Sequence, residues 1–248
     1  SNKDQFMHAN FKLSSKGETI SLYDSTETLI NSLEVVGLVR DKSIGRSMKD
    51  FRVVYYQSPT PGASNDTSEF IGILTNEISF SHDGGEFDGE NISLTGSVEG
   101  ETIRFTMDSS VPTISSASYS IPINIIDDTV IRARAFKTGF IPSATFSRTY
   151  ITSNSHSLPI VSLISANENF FDENTGIYAV GSEENVNPEL PFNGANFGQD
   201  WERDVHFSFY DETGNMGAAL DAGVKIYGGY SRTFAQKSLS IFFRSRYG

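Results

Sequence analysis

The chain has 248 residues, no cysteine, and 31 acidic against 19 basic side chains, for a formal net charge of −12. That length suits one large domain or two to three small ones, while the absent cysteine excludes a disulfide framework, a thiolate metal site and a cysteine nucleophile. The charge disfavours a nucleic-acid backbone or an anionic membrane surface as main partner, because both repel an acidic protein.

Ser, Thr, Ile, Val, Phe and Tyr are abundant, and turn residues recur every ten residues or so, so the chain reads as mainly β. Between them the aromatics include 19 Phe and 10 Tyr. No apolar run approaches the ~18 residues that span a bilayer. The start, "SNKDQFMHANF", lacks the charged-then-apolar layout of a signal peptide, and the chain reads as an internal fragment or a processed form.

The first segment, residues 1–65, has strands expected at "GETISLYD", where Ile20 and Leu22 alternate with Thr19 and Ser21, and at "ETLINSLEV" and "FRVVYYQ". It closes at "SPTPGASNDTS", an extended, weakly packed seam. From Phe11 to Asn65, "HANFKLSSKGETISLYDSTETLINSLEV", "SIGR" and "PTPGASN" resemble the second half of a bacterial lamin tail domain. The resemblance implies part of an immunoglobulin-like sandwich. The family's first strands, with their Asp-Trp-Ile-Glu signature, are absent, which implies exposed sheet edges.

The second segment, residues 72–152, alternates most clearly in "TVIRARAFK", where Val130, Arg132 and Arg134 flank Ile131, Ala133 and Ala135. That pattern predicts a strand with one buried face. "IRFTMDSSVPT", "SYSIPINI", "TVIRARAFKTGF" and "PSATFSRTY" resemble the fibronectin-type-III-like domain at the C-terminus of chitobiase and β-hexosaminidase. Ser109 stands where that family's turn has glycine. The resemblance implies an accessory sandwich without catalytic carboxylates.

The third segment, residues 153–248, opens with a buried strand in "SLPIVSLI", passes through a helical or turn piece at "NENFFDENTG" and returns to a strand at "GIYAVG". "VHFSFYD" followed by "DETGN" predicts a hairpin, and "SLSIFFR" a strand in need of partners. From Ala222 to Gly248 the chain carries five basic residues, Lys225, Arg232, Lys237, Arg244 and Arg246, and no acid. Such asymmetry marks either an anion site or a contact with the acidic remainder.

"LPIVSL", "NFFDENTGIY", "WERDV" with "FSFYD", "GVKIYGGYSR" and "QKSLSIFFRSRYG" resemble the N-terminal part of the spore coat protein H (CotH) family, an atypical protein-kinase-like fold. The resemblance implies nucleotide binding by Lys237, Arg232, Gly228, Gly229 and Ser231, with ATP and magnesium as cofactors of a longer parent. It places the catalytic residues beyond Gly248, so no catalytic residue and no cofactor is expected in this chain. The residues themselves form no Walker motif. Read alone, they better describe a glycine turn whose cations pair with surface carboxylates.

Other candidates have a plainer reading beside the functional one. Asp83, Glu86, Asp88 and Glu90 offer oxygen donors for calcium but fit no twelve-residue calcium loop, and an ordinary strand connection accounts for them. His8, His82, His156 and His206 are scattered and read as surface or capping residues, so no metal site is expected. Asp127 with Asp128, and Glu183 with Glu184, sit in turn-like sequence and read as solvated loops. Trp201 is read as a core or hairpin anchor rather than a sugar platform, and Glu202 with Arg203 as a strand-level ion pair or caps.

The expected fold is mainly β: tandem immunoglobulin- and fibronectin-like sandwich segments, then an incomplete α+β segment. The expected function is that of a non-catalytic fragment of a modular, secreted or surface bacterial protein whose sandwiches bind or space. Its ligand would be an unidentified protein or carbohydrate, with no nucleic acid and no membrane-spanning segment. The alternative is the front half of a CotH-type kinase.

Overall fold

A computed structural model describes residues 13–14, 16–36, 39, 41–65, 67–87, 91–152, 158–182, 187, 189 and 192–247. The fold is mainly β, in several sheets, with one short α-helix, Asn167–Phe171, and two 3-10 turns among the described residues. The chain divides into two compact units. One holds the residues up to Thr75 with Phe136–Ser143, and the other holds Asn76–Ala135 with Ala144–Gly248.

In the first unit, Glu18–Tyr23 and Leu29–Val35 form an antiparallel hairpin with Ile20 opposite Leu33. Asp24 builds its turn: Oδ1 accepts from the backbone N–H of Thr26 at 2.8 Å and of Thr28 at 2.9 Å. A short aspartate holding the backbone two residues on is the mechanism of an Asx turn. Ser43–Arg46, Val53–Tyr56 and Glu69–Phe70 form a second, antiparallel sheet. Val54 and Tyr56 are fully buried there, and the Tyr56 hydroxyl donates to the Arg46 carbonyl at 3.3 Å.

The second unit contains a five-stranded sheet in the order Ala117–Ser118, Thr102–Thr106, Thr129–Phe136, Phe146–Ile151, Gly85–Glu86. It also contains a four-stranded antiparallel meander of Ile160–Ile164, Arg203–Tyr210, Met216–Tyr227 and Ser238–Phe242. Residues of the second and third sequence segments thus share one compact unit. The Thr149 and Ser162 hydroxyls bond at 2.7 Å, and the Tyr210 hydroxyl donates to the Thr149 carbonyl at 3.3 Å, joining the two sheets.

Burial corrects the expectation of a one-faced strand at Thr129–Phe136. Ile131, Ala133 and Ala135 are fully buried, but so, to within 9% exposure, is Arg132 on the opposite face. Arg132 Nη1 donates to the Ser109 carbonyl at 2.8 Å. Burial lowers its pKa, and the negative charge of Asp221 on the meander acts against that shift. The turn that carries the Ser109 carbonyl meets this side of the strand at Arg132.

"GIYAVG" is likewise not a strand. The N–H groups of Gly176, Ile177 and Tyr178 donate to the carbonyls of Asp172, Asn169 and Phe170 at 2.8 to 3.0 Å. Donors spent on the preceding helix are unavailable to a ladder. Ile177 instead enters the meander's apolar cluster with Val205, Val224 and Ile226. "SLSIFFR" has its partner in Met216–Tyr227, with Ile226 opposite Leu239. Ile160–Ile164, expected as a buried strand, is the half-buried edge of its sheet.

Candidate functional site

The glycine pair Gly228–Gly229 follows the long strand Met216–Tyr227 and leads into a 3-10 turn, Tyr230–Thr233. Gly228 has φ +115°, a region that L side chains rarely adopt, and a Cβ there would collide with the Ser231 side chain. This tight turn brings the Gly228 carbonyl to Arg232, whose Nε donates to it at 2.5 Å. Arg232 Nη1 also donates to the Gly198 carbonyl at 3.1 Å. The guanidinium therefore ties the glycine turn to the 3-10 turn Asn196–Gly198, because its fixed fork serves several acceptors at once.

Lys237 closes the same loop. Its ammonium donates to the carbonyls of Arg232 and Phe234, each at 2.8 Å, and lies 4.3 Å from the Phe197 ring centroid and 5.8 Å from that of Tyr178. Burial holds its pKa below the ordinary lysine value. Carbonyl oxygens and aromatic faces are what a half-buried ammonium needs in place of water. Gly228, Gly229, Ser231, Arg232 and Lys237 are thus gathered into one loop, with the two cations turned onto backbone acceptors.

The other basic residues of this stretch meet the acidic remainder. Lys225 pairs with Asp200 at 2.5 Å, while Arg244, at 3.0 Å, and Arg246 pair with Glu202. The Tyr247 hydroxyl also donates to Glu202 Oε1 at 2.5 Å. Burial alone would raise the Glu202 pKa, but the Tyr247 and Arg246 hydrogen bonds hold it below the usual value. The Lys225 bond and charge lower that of Asp200. Glu202 and Arg203 do not pair side chain to side chain as expected. Arg203 Nε donates to the Thr175 carbonyl at 3.1 Å and its guanidinium lies 5.0 Å from the Trp201 ring centroid.

Two clefts flank the Asn196–Gly198 turn. One, of about 420 Å³, is lined by Phe192, Asn193, Tyr230, Arg232 and Thr233 among others, and the second, of about 300 Å³, by Glu173, Asn174 and Trp201; they share Gly194 and Gln199. Gly229 and Arg232 line the larger cleft. Sequence reasoning missed Gln199, Tyr230, Asn174 and Glu173. The only local signal was their bunching around glycines, since their convergence depends on loops far apart in sequence.

The acidic run falls elsewhere in the second unit, along a polar cleft of about 940 Å³ that also takes in Thr213–Met216. Asp83 pairs there with Arg148 at 3.5 Å, and Asp88 and Glu90 lie outside the described residues. His82 Nδ1 accepts the Gly84 N–H at 3.2 Å, and His206 Nδ1 lies 2.8 Å from Asp221 Oδ1. His8, His156, Glu183 and Glu184 lie outside the described residues. Among the described residues, no group of three or more His, Asp or Glu side chains forms a metal site. Asp128 Oδ1 accepts the Thr152 N–H at 2.8 Å, and the Asp127 carbonyl accepts the Thr129 hydroxyl at 2.7 Å, so both serve the ends of strands.

The turn in "TMDSSVP" shows how the second segment is built. Asp108 Oδ1 accepts from Ser110 N at 3.0 Å and from Ser110 Oγ at 2.6 Å, and these bonds lower its pKa. Ser109 has φ +66°, a conformation natural to glycine. No helix among the described residues is long and apolar enough to cross a membrane. No curated protein matches the chain. Residues 82–147 match the family model of the Chitobiase/beta-hexosaminidase C-terminal domain, so this chain carries a stretch similar to that carbohydrate-associated β-sandwich module.

Proposed function

We propose that the chain is a non-catalytic part of a modular, secreted or surface bacterial protein, in which β-sandwich modules hold or space a carbohydrate partner. The observation that carries this reading is the family match over residues 82–147. It is supported by the Asp108–Ser110 turn and the buried Thr129–Phe136 strand within those residues. A module of this kind contributes surface and reach, while fold alone assigns no chemistry. Co-sedimentation of the purified chain with insoluble chitin and cellulose tests it. Retention on either, relieved by soluble oligosaccharide, is the expected result. Loss of the chain to the supernatant with both polymers overturns the reading.

A second reading, a nucleotide site of a longer CotH-type kinase, draws on the clustering of Gly228, Gly229, Ser231, Arg232 and Lys237 beside the 420 Å³ cleft. Against it stands the bonding of Lys237 to two carbonyls, which leaves one of its three ammonium protons for a phosphate. Phosphate transfer from MgATP above the level of a Lys237→Ala control favours this second reading over the first.

A further inference from the structure

Three exposed aromatic rings follow one another around the glycine turn: Tyr227 is 63%, Tyr230 60% and Phe234 55% exposed. Single exposed aromatics are ordinary, but three in succession, of which Tyr230 lines a cleft, mark a place for a ligand. Tyr230 and Phe234 meet edge to face with centroids 6.0 Å apart. The Thr233 hydroxyl donates to the Tyr230 carbonyl at 2.8 Å. Ring and backbone are thus braced, which reduces the entropy lost when a ligand stacks.

The two clefts share Gly194 and Gln199 as wall residues, with Tyr230 lining one and Trp201 the other. Asn193 lines the larger cleft with an amide, and the Gln199 amide beside it is held in place by Nε2 donating to the Gly194 carbonyl at 3.2 Å. Amides donate and accept at once, as neighbouring hydroxyls on a sugar ring require. Among the described residues no acid lines the larger cleft, and its Arg232 is bonded to the Gly228 and Gly198 carbonyls. Charge is therefore not what the larger cleft offers. A flat aromatic with amides around it suits a ring that has an apolar CH face and a polar edge. A Cβ at Gly198 would meet nothing within 4 Å, so open space lies in front of the backbone there.

We propose that the larger cleft, a groove walled by Tyr230, Asn193 and Gln199, binds a short uncharged oligosaccharide. The proposal rests on the carbohydrate reading above but places a sugar site outside residues 82–147. Titration calorimetry of the full chain with chitotetraose, and separately with MgATP, tests it alongside three variants. Tyr230→Ala removes the platform, Gly198→Phe places a ring in the open space, and Tyr230→Phe keeps the ring. Chitotetraose binding that weakens by about tenfold or more in the first two and survives in the third supports the site. All three should melt within about 3 °C of the parent. Binding unchanged in Tyr230→Ala and Gly198→Phe overturns the groove and leaves the carbohydrate reading standing. No binding of chitotetraose by the parent chain overturns the groove, and the polymer co-sedimentation then decides the broader reading by itself. MgATP binding that Gly198→Phe abolishes, with no chitotetraose binding, overturns the groove in favour of a nucleotide.

Discussion

The hairpin Glu18–Tyr23 with Leu29–Val35 and the strand Thr129–Phe136 carry the same period-two alternation of apolar and polar residues, and they have opposite fates. In the hairpin, Leu22, Leu29 and Ile30 are all more than half exposed. In Thr129–Phe136 the small apolar residues are fully buried and even Arg132 is withdrawn from water. Alternation therefore specifies an extended backbone whose two faces differ. Burial depends on what the fold lays against each face.

Side-chain truncation tests that contrast most directly. Ile131→Ala removes packed atoms from a closed core and should cost about 3 kcal/mol in urea unfolding, whereas Leu22→Ala in the hairpin should stay within about 0.5 kcal/mol. Equal losses at both positions would mean that the hairpin's apolar residues are covered in solution.

A smaller effect is expected at the glycine loop. Lys237→Met keeps the aliphatic stem against Phe197 but strips the Arg232 and Phe234 carbonyls of their donor, which should cost about 1–2 kcal/mol. If Lys237→Met proves neutral, the ammonium does not brace the loop. In the opposite direction, Ser109→Gly relieves a positive φ and should stabilise the chain by about 0.5–1 kcal/mol, read as a raised urea midpoint. Ser109→Val, a branched residue at the same φ, should lower it.

The smallest effect concerns acid. Asp24, Asp172 and Asp211 resemble Asp108 in accepting bonds from a Thr side chain or nearby N–H groups, and all four have pKa values below the ordinary aspartate value. A group depressed on folding contributes stability above its unfolded pKa of about 3.9 and loses it as pH falls through the folded value. Melting temperature should therefore be flat from neutral pH to near the unfolded value, then fall on further acidification. Asp211→Asn should reduce that dependence slightly. A melting temperature that climbs below pH 4 would contradict these turns.

Much of the local structure was legible. The "DETGN" hairpin and the strands at "VHFSFYD" and "FRVVYYQ" appear where alternation and turn residues put them. The short helix at "NENFFDENTG" was legible too. "GIYAVG" was not, because its β-prone residues had their N–H groups claimed by the helix before them. Of the candidate loop, the glycines and cations were visible but their partners were not. Lys225 and Asp200 are 25 residues apart, and Arg246 and Glu202 are further still.

By itself, then, the sequence determined a mainly β chain, the positions of its Asp-built turns and the bunching of cations near Lys237. These follow from backbone sterics and from hydrogen bonds reaching only a few residues. Only the tertiary structure decided that Arg132 is buried, that three of those five cations meet acids, and that Arg232 and Lys237 turn onto backbone carbonyls. The reason is that desolvation and pairing depend on neighbours brought together across the chain, which no local pattern encodes.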